Sequence, residues 1–350
     1  MHFVRSAVFA LISRLSEGNA GRQRGVFSFF RRVLIEDSTN LRLPQHLAPD
    51  FPGAANQSNK KQAILKIQVI YELLSETFVH FSLSGFTRTD QAASADVLTV
   101  AKAGDLVLRD LGYFVLGVFK KMLDKGIHFL SRFRIDVSIY DPFTLKAIDL
   151  LKELRTHGRF DRQVLIGAQQ RVALRLVAVP LPEQVANARR RKAKNNRDRR
   201  CNISKRNLEL LGWELFVTSV PDTIWNSQTV AQIYRIRWRI EIIFKSWKSH
   251  FNLTSIPTGS AHQLEALIWA QLLAICLFQP MFGALDLYCY TNFNTSLSLL
   301  KTAPLFPLML ICPIMNCNDF NLMISILIKH FALETRTKRL PIENSQYLLG

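Results

Sequence analysis

Three acidic residues could act together in chemistry, because the local pattern places each in a defined element. Asp37 ends the β-rich apolar run of residues 28–37, and Asp110 ends the short apolar run that begins at Leu106. Glu241 lies in a segment with helical periodicity. We predict that each aspartate lies at the tip of a strand and the glutamate on a helix. Three converging carboxylates can hold two Mg²⁺ ions about 4 Å apart, an arrangement that serves phosphodiester chemistry.

The segment around Glu241 has the clearest helical pattern in the sequence. Ser227 is a residue type that caps helices, and the predicted helix runs on to Ser249. Its core-facing apolar residues are Ile233, Ile236, Ile240, Ile243, Phe244 and Trp247. A polar stripe roughly 60° wide borders this face and consists of Tyr234, Arg237, Glu241 and Lys248. On an isolated helix such a stripe would be an ion-paired surface, whereas the two upstream aspartates favour a site for phosphodiester chemistry.

This stripe resembles the Y-x2-R-x3-E-x6-K signature of bacterial insertion-sequence transposases of the family four type. Residues 36–39 are similar to the first-aspartate motif of that family, and residues 109–114 are similar to its second. The resemblance covers about residues 25–275. It implies a DNA transposase that cuts at transposon ends and then transfers the freed 3′-hydroxyl into target DNA.

The resemblance also implies roles for individual residues. Asp37, Asp110 and Glu241 would be catalytic and would bind two Mg²⁺ ions, with Mn²⁺ as a substitute. Tyr234, Arg237 and Lys248 would contact DNA near the scissile end. The implied partners are double-stranded DNA, at both transposon ends and target, and a second copy of the chain in a synaptic homodimer.

The predicted fold class is α/β, with a ribonuclease-H-like mixed sheet flanked by helices. A hairpin is expected from residues 63–71 and 77–83, helices over 90–103 and 115–125, and a strand over 127–131. A β-rich insertion is expected between the second Asp and the Glu, with strands over 163–166, 172–179 and 214–220. The predicted divisions are an N-terminal helical segment (1–27), the first part of the core (28–134), the insertion (135–222), the catalytic and closing helices (223–290) and a tail of unclear role (291–350).

The charge of the chain favours a polyanionic partner. It has 45 Lys and Arg against 27 Asp and Glu, a formal charge of +18. Residues 188–206 are rich in cations and nearly free of apolar anchors, so we predict a mobile segment that contacts DNA phosphates. Its proposed DNA contacts are Arg189, Arg190, Arg191 and Lys192.

The cysteine pattern and the apolar segments indicate a cytoplasmic protein. Five cysteines form no CxxC pair, so neither a disulfide framework nor a zinc site is expected. The segment from Leu264 to Cys289 is apolar enough to suggest a membrane-spanning helix. Its polar residues favour a buried helix that breaks near Pro280 instead.

Other candidate residues have simpler interpretations. Trp213 and Trp225 could stack on a flipped base, although core packing is favoured. His128 and His250 stand at no metal-ligand spacing, and Arg132 is as consistent with a surface role as with a DNA contact.

Two alternatives to a transposase remain open from the sequence: a nuclease of the same fold, which would use the same acids, and a catalytically inactive DNA-binding remnant. Only 36 residues precede Asp37, with one helix expected around residues 5–16. We therefore expect tight, salt-dependent but weakly specific DNA binding.

Overall fold

The computed structural model describes residues 2–17, 25–54, 62–195, 203–255, 259–293 and 296–307. The strands are β1 (Val33–Leu43), β2 (Ala63–Glu72), β3 (Thr77–Gly85), β4 (Leu106–Arg109), β5 (His128–Arg132), β6 (Ile139–Tyr140), β7 (Phe160–Ile166), β8 (Val172–Pro180) and β9 (Trp213–Thr218). The helices are α1 (His2–Glu17), α2 (Asp90–Ala93), α3 (Leu116–Asp124), α4 (Leu150–His157), α5 (Glu183–Lys194), α6 (Lys205–Leu210), α7 (Ser227–Ile236), α8 (Arg239–His250), α9 (Ala261–Phe293) and α10 (Leu299–Thr302). The chain is mixed α/β and divides into two compact units, one formed by residues 1–28, 34–89 and 236–350 and the other by 29–33 and 90–235.

In the first unit, β1, β2 and β3 form an antiparallel sheet in the order β3-β2-β1. The predicted hairpin is confirmed as β2 and β3. The position predicted for Asp37 at a strand tip is wrong, because β1 continues to Leu43 and Asp37 lies opposite Val69 in its middle. The strand continues through the polar residues 38–40 because all ten residues of its neighbour β2 are buried and pair with it.

The helices of the first unit pack through large apolar side chains. Trp247 of α8 lies 5.4 Å from the ring of Phe78 on β3, and α1 contacts α9 through Phe9 and Trp269, at 5.8 Å. The break expected near Pro280 is absent, since α9 is helical across it. Phe278 and Phe282, buried on either side of the proline, hold this part of the helix against the core. The 18-residue window that makes α9 long and apolar enough to cross a membrane is half buried inside the protein.

In the second unit, the sheet order is β4-β5-β9-β8-β7-β6. β4 and β5 are parallel, whereas β5, β9, β8, β7 and β6 pair antiparallel. The strands predicted over 163–166, 172–179 and 214–220 are confirmed as β7, β8 and β9. They continue the sheet of β4 and β5, so that the β-rich part of residues 135–222 extends a mixed sheet.

Three predicted elements of the second unit differ in the structure. The helix expected over 90–103 is reduced to α2 and a 3₁₀ turn, Asp96–Thr99, because the Ser94 carbonyl accepts a hydrogen bond from Arg109 (2.6 Å). The start of the predicted mobile segment is helical as α5, anchored by the buried Ala186. Residues 196–202 of that segment lie outside the described residues. The N-terminal cap of α7 is Asn226 instead of the predicted Ser227, since the side chain of Asn226 accepts a hydrogen bond from the amide of Thr229 at 2.9 Å.

Candidate active site

Arg237 links two of the three predicted catalytic acids within the first unit. Its Nη1 donates to Asp37 Oδ2 at 2.6 Å, and its Nη2 donates to Glu241 Oε1 at 2.9 Å. The arginine side chain is 7% exposed, the aspartate 17% and the glutamate 46%. Asp37 and Glu241 therefore lie on either side of one guanidinium group, and Glu241 is the more accessible to solvent.

A break in the predicted long helix sets the position of Arg237. The structure has two helices, α7 and α8, and residues 237–238 form a turn between them. Here the amide of Glu241 donates to the carbonyl of Trp238 at 3.1 Å, a tighter 3₁₀-type bond than the α-helical one. Because the turn contains no proline or glycine, its cause is tertiary, and the ion pair of Arg237 with β1 is located at it.

Asp37 is oriented by its own strand. Its Oδ1 accepts the amide of Ser38 at 2.8 Å, while its Oδ2 receives Arg237. The buried residues Val33 to Glu36 precede it on β1, which fixes the backbone that carries the carboxylate. Asp37 is therefore a half-buried carboxylate on a rigid strand.

In the second unit, Asp110 directly follows β4, as the sequence predicts. Its backbone is extended (φ −78°, ψ 166°) and leads into the 3₁₀ turn Leu111–Tyr113. The hydroxyl of Tyr234 hydrogen-bonds to Asp110 Oδ1 at 3.2 Å. The preceding residue, Arg109, is fully buried and donates to Ser94 Oγ at 2.8 Å. The end of β4 is thus tied down by the side chain of the residue that precedes Asp110.

Gly112 allows close packing immediately after Asp110. A Cβ at this position would lie 3.0 Å from Asp90 Oδ2 and 3.2 Å from Asp90 Cβ. Such contacts are tighter than ordinary van der Waals distances, so a side chain here would require Asp90 to shift by a few tenths of an ångström. Gly112 therefore favours close packing of the turn after Asp110 against α2.

Tyr234 is held in a cationic and aromatic environment within the second unit. Its ring packs 5.0 Å from Phe216 on β9, and the Arg132 guanidinium lies 5.6 Å from its centroid. Arg132 also faces Glu214 at 4.0 Å, as Arg235 does at 3.9 Å. Arg132, which the sequence left undecided, thus lies beside a residue of the signature.

Lys248 lies on α8, seven residues after Glu241. It is half-buried, and this burial lowers the pKa of its ammonium group below the ordinary value because the charged form loses hydration. A phosphate at this position would restore the favourable surroundings that the charged form lacks.

The carboxylates offer the hard oxygen ligands that Mg²⁺ and Mn²⁺ prefer. In the first unit, Asp37 and Glu241 already share one cationic group, which is the charge arrangement that a divalent ion would satisfy. Across the described part of the chain, no group of three or more His, Cys, Asp or Glu side chains is arranged as a complete metal site. The chemistry of the acids fits such an ion, with Arg237 as its present substitute between two of them.

The four proposed DNA-contacting cations of residues 188–206, the basic segment, are either paired within the protein or exposed. Arg189 pairs with Glu214 at 3.0 Å, and Arg190 pairs with Glu183 at 3.0 Å and donates to the carbonyl of Leu208 at 3.3 Å. Arg191 and Lys192, by contrast, are exposed on α5. The second pair is therefore the better placed to meet an anion.

Two features near the candidate site were not identified from the sequence. Trp238, next to Arg237, is 59% exposed. Arg239 forms a buried ion pair with Glu76, and the amide of Gln279 donates to Glu76 Oε2 at 3.1 Å. These residues tie the start of α8 to the β2–β3 hairpin and to α9. Glu76 has a φ of 55° and lies in the short connection between β2 and β3. The sequence predicts only a polar break there, so no pattern identified Glu76 as an ion-pair partner.

The tryptophans and histidines considered from the sequence have mostly structural environments. Trp225 is 1% exposed and packs 5.0 Å from Phe30, which confirms the core interpretation. His128 lies 5.4 Å from the rings of Phe29 and Phe30, and burial lowers its pKa. Trp213 and His250 are half-buried.

The chain is similar to known proteins along most of its length. The family model of the transposase DDE domain matches residues 28–277. The transposase for insertion sequence element IS231C of Bacillus thuringiensis subsp. berliner is 30% identical over 268 residues, covering 71% of this chain and 56% of the relative. The IS231D transposase of B. thuringiensis subsp. finitimus is 29% identical over 285 residues, covering 76% of this chain and 59% of the relative.

Two further proteins share less sequence with this chain. The transposase for IS1151 of Clostridium perfringens is 25% identical over 275 residues, covering 73% of this chain and 58% of the relative. The piggyBac transposase, in a cryo-EM synaptic complex with hairpin DNA, has a TM-score of 0.46 and 10% identity over 91% of this chain and 57% of that chain. This chain spans less than two-thirds of the length of each of these relatives. Because the family model matches most of the chain, this protein belongs to the transposase DDE domain family.

Proposed function

We propose that this protein is a DNA transposase that cleaves DNA at transposon ends and transfers the freed strand into target DNA. The proposal rests on family membership together with one observation, the shared Arg237 guanidinium between Asp37 and Glu241. It includes a ribonuclease-H-like catalytic fold. The substrates are double-stranded DNA at the transposon ends and at the target.

Asp37, Asp110 and Glu241 are the proposed metal ligands. When bound, two Mg²⁺ ions would activate the attacking oxygen and stabilise the leaving one. Asp37 supplies a carboxylate on a rigid strand, and Glu241 supplies one on a more exposed helix. Tyr234 orients Asp110 through the hydrogen bond of 3.2 Å to its Oδ1.

The cations of the signature are assigned to DNA. Arg237 is proposed to leave the two carboxylates when a divalent ion binds and to pair with a phosphate instead, because a guanidinium matches phosphate oxygens well. Lys248 is proposed to bind a neighbouring phosphate, which its lowered pKa supports because burial leaves its charge poorly solvated. The exposed Arg191 and Lys192 of α5 would hold the DNA backbone further from the scissile bond.

Chemistry on two transposon ends requires two active sites, so we also propose that the protein works as a homodimer. The proposed location is the cytoplasm, where the chromosome of a bacterium is accessible. The two competing functions are a nuclease of the same fold and an inactive DNA-binding remnant.

The test is a strand-transfer assay with duplexes that carry the inverted repeats flanking the gene. One oligonucleotide has its 3′-hydroxyl already exposed, and supercoiled plasmid serves as target in Mg²⁺. We expect covalent joining of oligonucleotide to plasmid, and none with Asp110→Asn. Cleavage of intact repeats without joining would identify a nuclease. Binding without cleavage or joining would identify a remnant.

A further inference from the structure

Helix α9 presents an apolar stripe to solvent. Leu267 is 41% exposed, and Leu277 and Leu287 are each 39% exposed. Between the leucines, Ala270 and Ala284 are exposed as well. Neighbouring members of the stripe are separated by three or by seven residues, which keeps them on one side of a helix. From Leu267 to Leu287 the stripe is about 30 Å long at 1.5 Å per residue.

The stripe is symmetric about Leu277. Leucines stand ten residues before and after it, and alanines stand seven residues before and after it. Three residues away on either side are the small, half-exposed Ala274 and Pro280. If two copies of α9 cross antiparallel at Leu277, each residue meets the one equally far on the other side. Leucine then packs on leucine, and alanine on alanine allows the helices to approach closely.

Charge also favours a second copy over DNA as the occupant. The 33 residues of α9 include no Lys or Arg, in a chain with a formal charge of +18. Helix α9 itself therefore offers no Lys or Arg to a phosphate, and none of its own residues repels a second copy of the helix through a lysine or arginine charge. The acidic residues of α9 are Glu265, near one end, and the buried Asp286, whose Oδ1 accepts the amide of Leu297 at 2.6 Å.

Burial argues against a lipid bilayer. Half of the most apolar window of α9 is already buried inside the protein, and α1 covers part of the helix through Phe9 and Trp269. A membrane-spanning helix would need apolar groups around a lipid-facing circumference, whereas Leu264, Ile268, Leu272 and Ile275 of α9 are already buried in the protein. We infer that α9 is a dimerisation surface, on which a second copy of this chain packs antiparallel with its twofold axis at Leu277.

This inference rests on the proposed homodimer and gives it a surface, but its test needs neither DNA nor metal. The mass of the purified full chain is measured by light scattering during gel filtration. We expect a dimer, which Leu277→Glu converts to a monomer because a carboxylate on the axis would face its own copy. Leu123→Glu on α3 is the matched control, since Leu123 is equally apolar and 36% exposed. It should stay dimeric.

Cysteine cross-linking provides a second readout that does not depend on tolerance of a charge. In a background with Cys201, Cys312 and Cys317 changed to serine, Leu277→Cys should form a disulfide with its own copy under mild oxidation. Cys276 and Cys289 are buried and remain as they are. Leu267→Cys and Leu287→Cys should each cross-link poorly alone but efficiently when the two proteins are mixed.

Several results would overturn the inference. A monomeric wild-type chain would do so. In such a monomer, resistance of Leu277→Cys to alkylation would show that another part of the same chain covers the stripe. A dimer that survives Leu277→Glu would place the interface elsewhere. Self-linking of Leu267→Cys would indicate a parallel pair, and a need for lipid vesicles to keep the chain in solution would assign the stripe to a bilayer. Loss of strand transfer with an intact dimer would count against the proposed function alone.

Discussion

Arg237 donates a hydrogen bond of 2.6 Å to Asp37, a residue 200 positions earlier in the chain. The same guanidinium binds Glu241 at 2.9 Å, so one cation offsets part of the repulsion between two carboxylates. In the proposed active site, Arg237 and a divalent metal ion compete for the same oxygens. The arginine should therefore weaken metal binding while it stabilises the metal-free protein.

The first prediction is that Arg237→Ala binds Mn²⁺ more tightly than the wild-type protein. Removing the competing cation should increase affinity by about tenfold, or 1.4 kcal/mol. Without metal, the variant should unfold at a lower temperature, and Mg²⁺ should restore much of the loss. Calorimetric titration with Mn²⁺ and melting curves with and without EDTA measure both effects.

Arg235→Ala is the control for this prediction, because Arg235 is exposed and faces only Glu214, at 3.9 Å, among the described acids. Its metal affinity should match that of the wild-type protein. Equal or weaker Mn²⁺ binding by Arg237→Ala would show that the arginine and the metal do not share a site. Absence of Mn²⁺ binding in both proteins would count against the metal ligands themselves.

The second prediction separates the cations of α5. Arg191→Ala and Lys192→Ala should each reduce the salt dependence of DNA binding, with the slope of log K against log salt falling by about 0.9 per lost phosphate contact. Arg189→Ala should change the slope little, because Arg189 already pairs with Glu214 at 3.0 Å. Fluorescence anisotropy over a range of salt concentrations measures the slopes. A larger effect from Arg189 would reverse the assignment of exposed and paired cations.

The third prediction concerns the buried ion pair between Arg239 and Glu76. Glu76→Gln should lower the free energy of unfolding by about 3–5 kcal/mol, because it removes the charge of the carboxylate that pairs with a mostly buried guanidinium. Breaking the exposed pair of Arg134 and Asp136 with Arg134→Ala should cost less than about 1 kcal/mol. Urea unfolding followed by circular dichroism gives both values. Similar costs for the two variants would mean that the Arg239 pair is not buried in solution.

The fourth prediction is an acid sensitivity caused by His128. Burial against Phe29 and Phe30 lowers its pKa below 6.5, so the unfolded chain takes up a proton more readily than the folded one. Stability should therefore fall as the pH drops through 6.5 towards the lower folded value. His128→Leu should reduce this fall, whereas His157→Gln, at an exposed position, should not. The test is to measure the free energy of unfolding at two chosen conditions, pH 5 and pH 7.5. An unchanged pH dependence in His128→Leu would show that His128 does not cause the acid sensitivity.

Sequence patterns predicted the helices and strands whose buried residues form a regular pattern within one stretch of the chain. Leu106 to Arg109 is a fully buried run, so the strand and the position of Asp110 after it could be predicted. The core-facing residues around Glu241 could be predicted too, since Ile233, Ile240 and Trp247 are all buried. In each case, one stretch of chain contains the whole pattern.

Features set by distant residues could not be predicted in this way. Asp37 lies mid-strand because β2, some 30 positions later, pairs with β1 from Leu34 to Leu43. The turn at residues 237–238 coincides with an ion pair to Asp37, and nothing in the local sequence marks it. The helix at the start of the basic segment is anchored by Ala186 and by Arg190, which binds the carbonyl of Leu208 on another helix. These contacts join residues that no local periodicity relates.

Metal-dependent chemistry through Glu241 is the central claim, and side-by-side measurement of DNA binding and DNA cleavage tests it most directly. Wild-type protein, Glu241→Gln and the surface control Glu209→Gln are compared on the same duplex, in Mg²⁺ and in EDTA. We predict that all three bind the duplex with similar affinity, that only wild-type and Glu209→Gln cleave it, and that EDTA abolishes their cleavage. Cleavage by Glu241→Gln, or by any of the proteins in EDTA, would contradict the account.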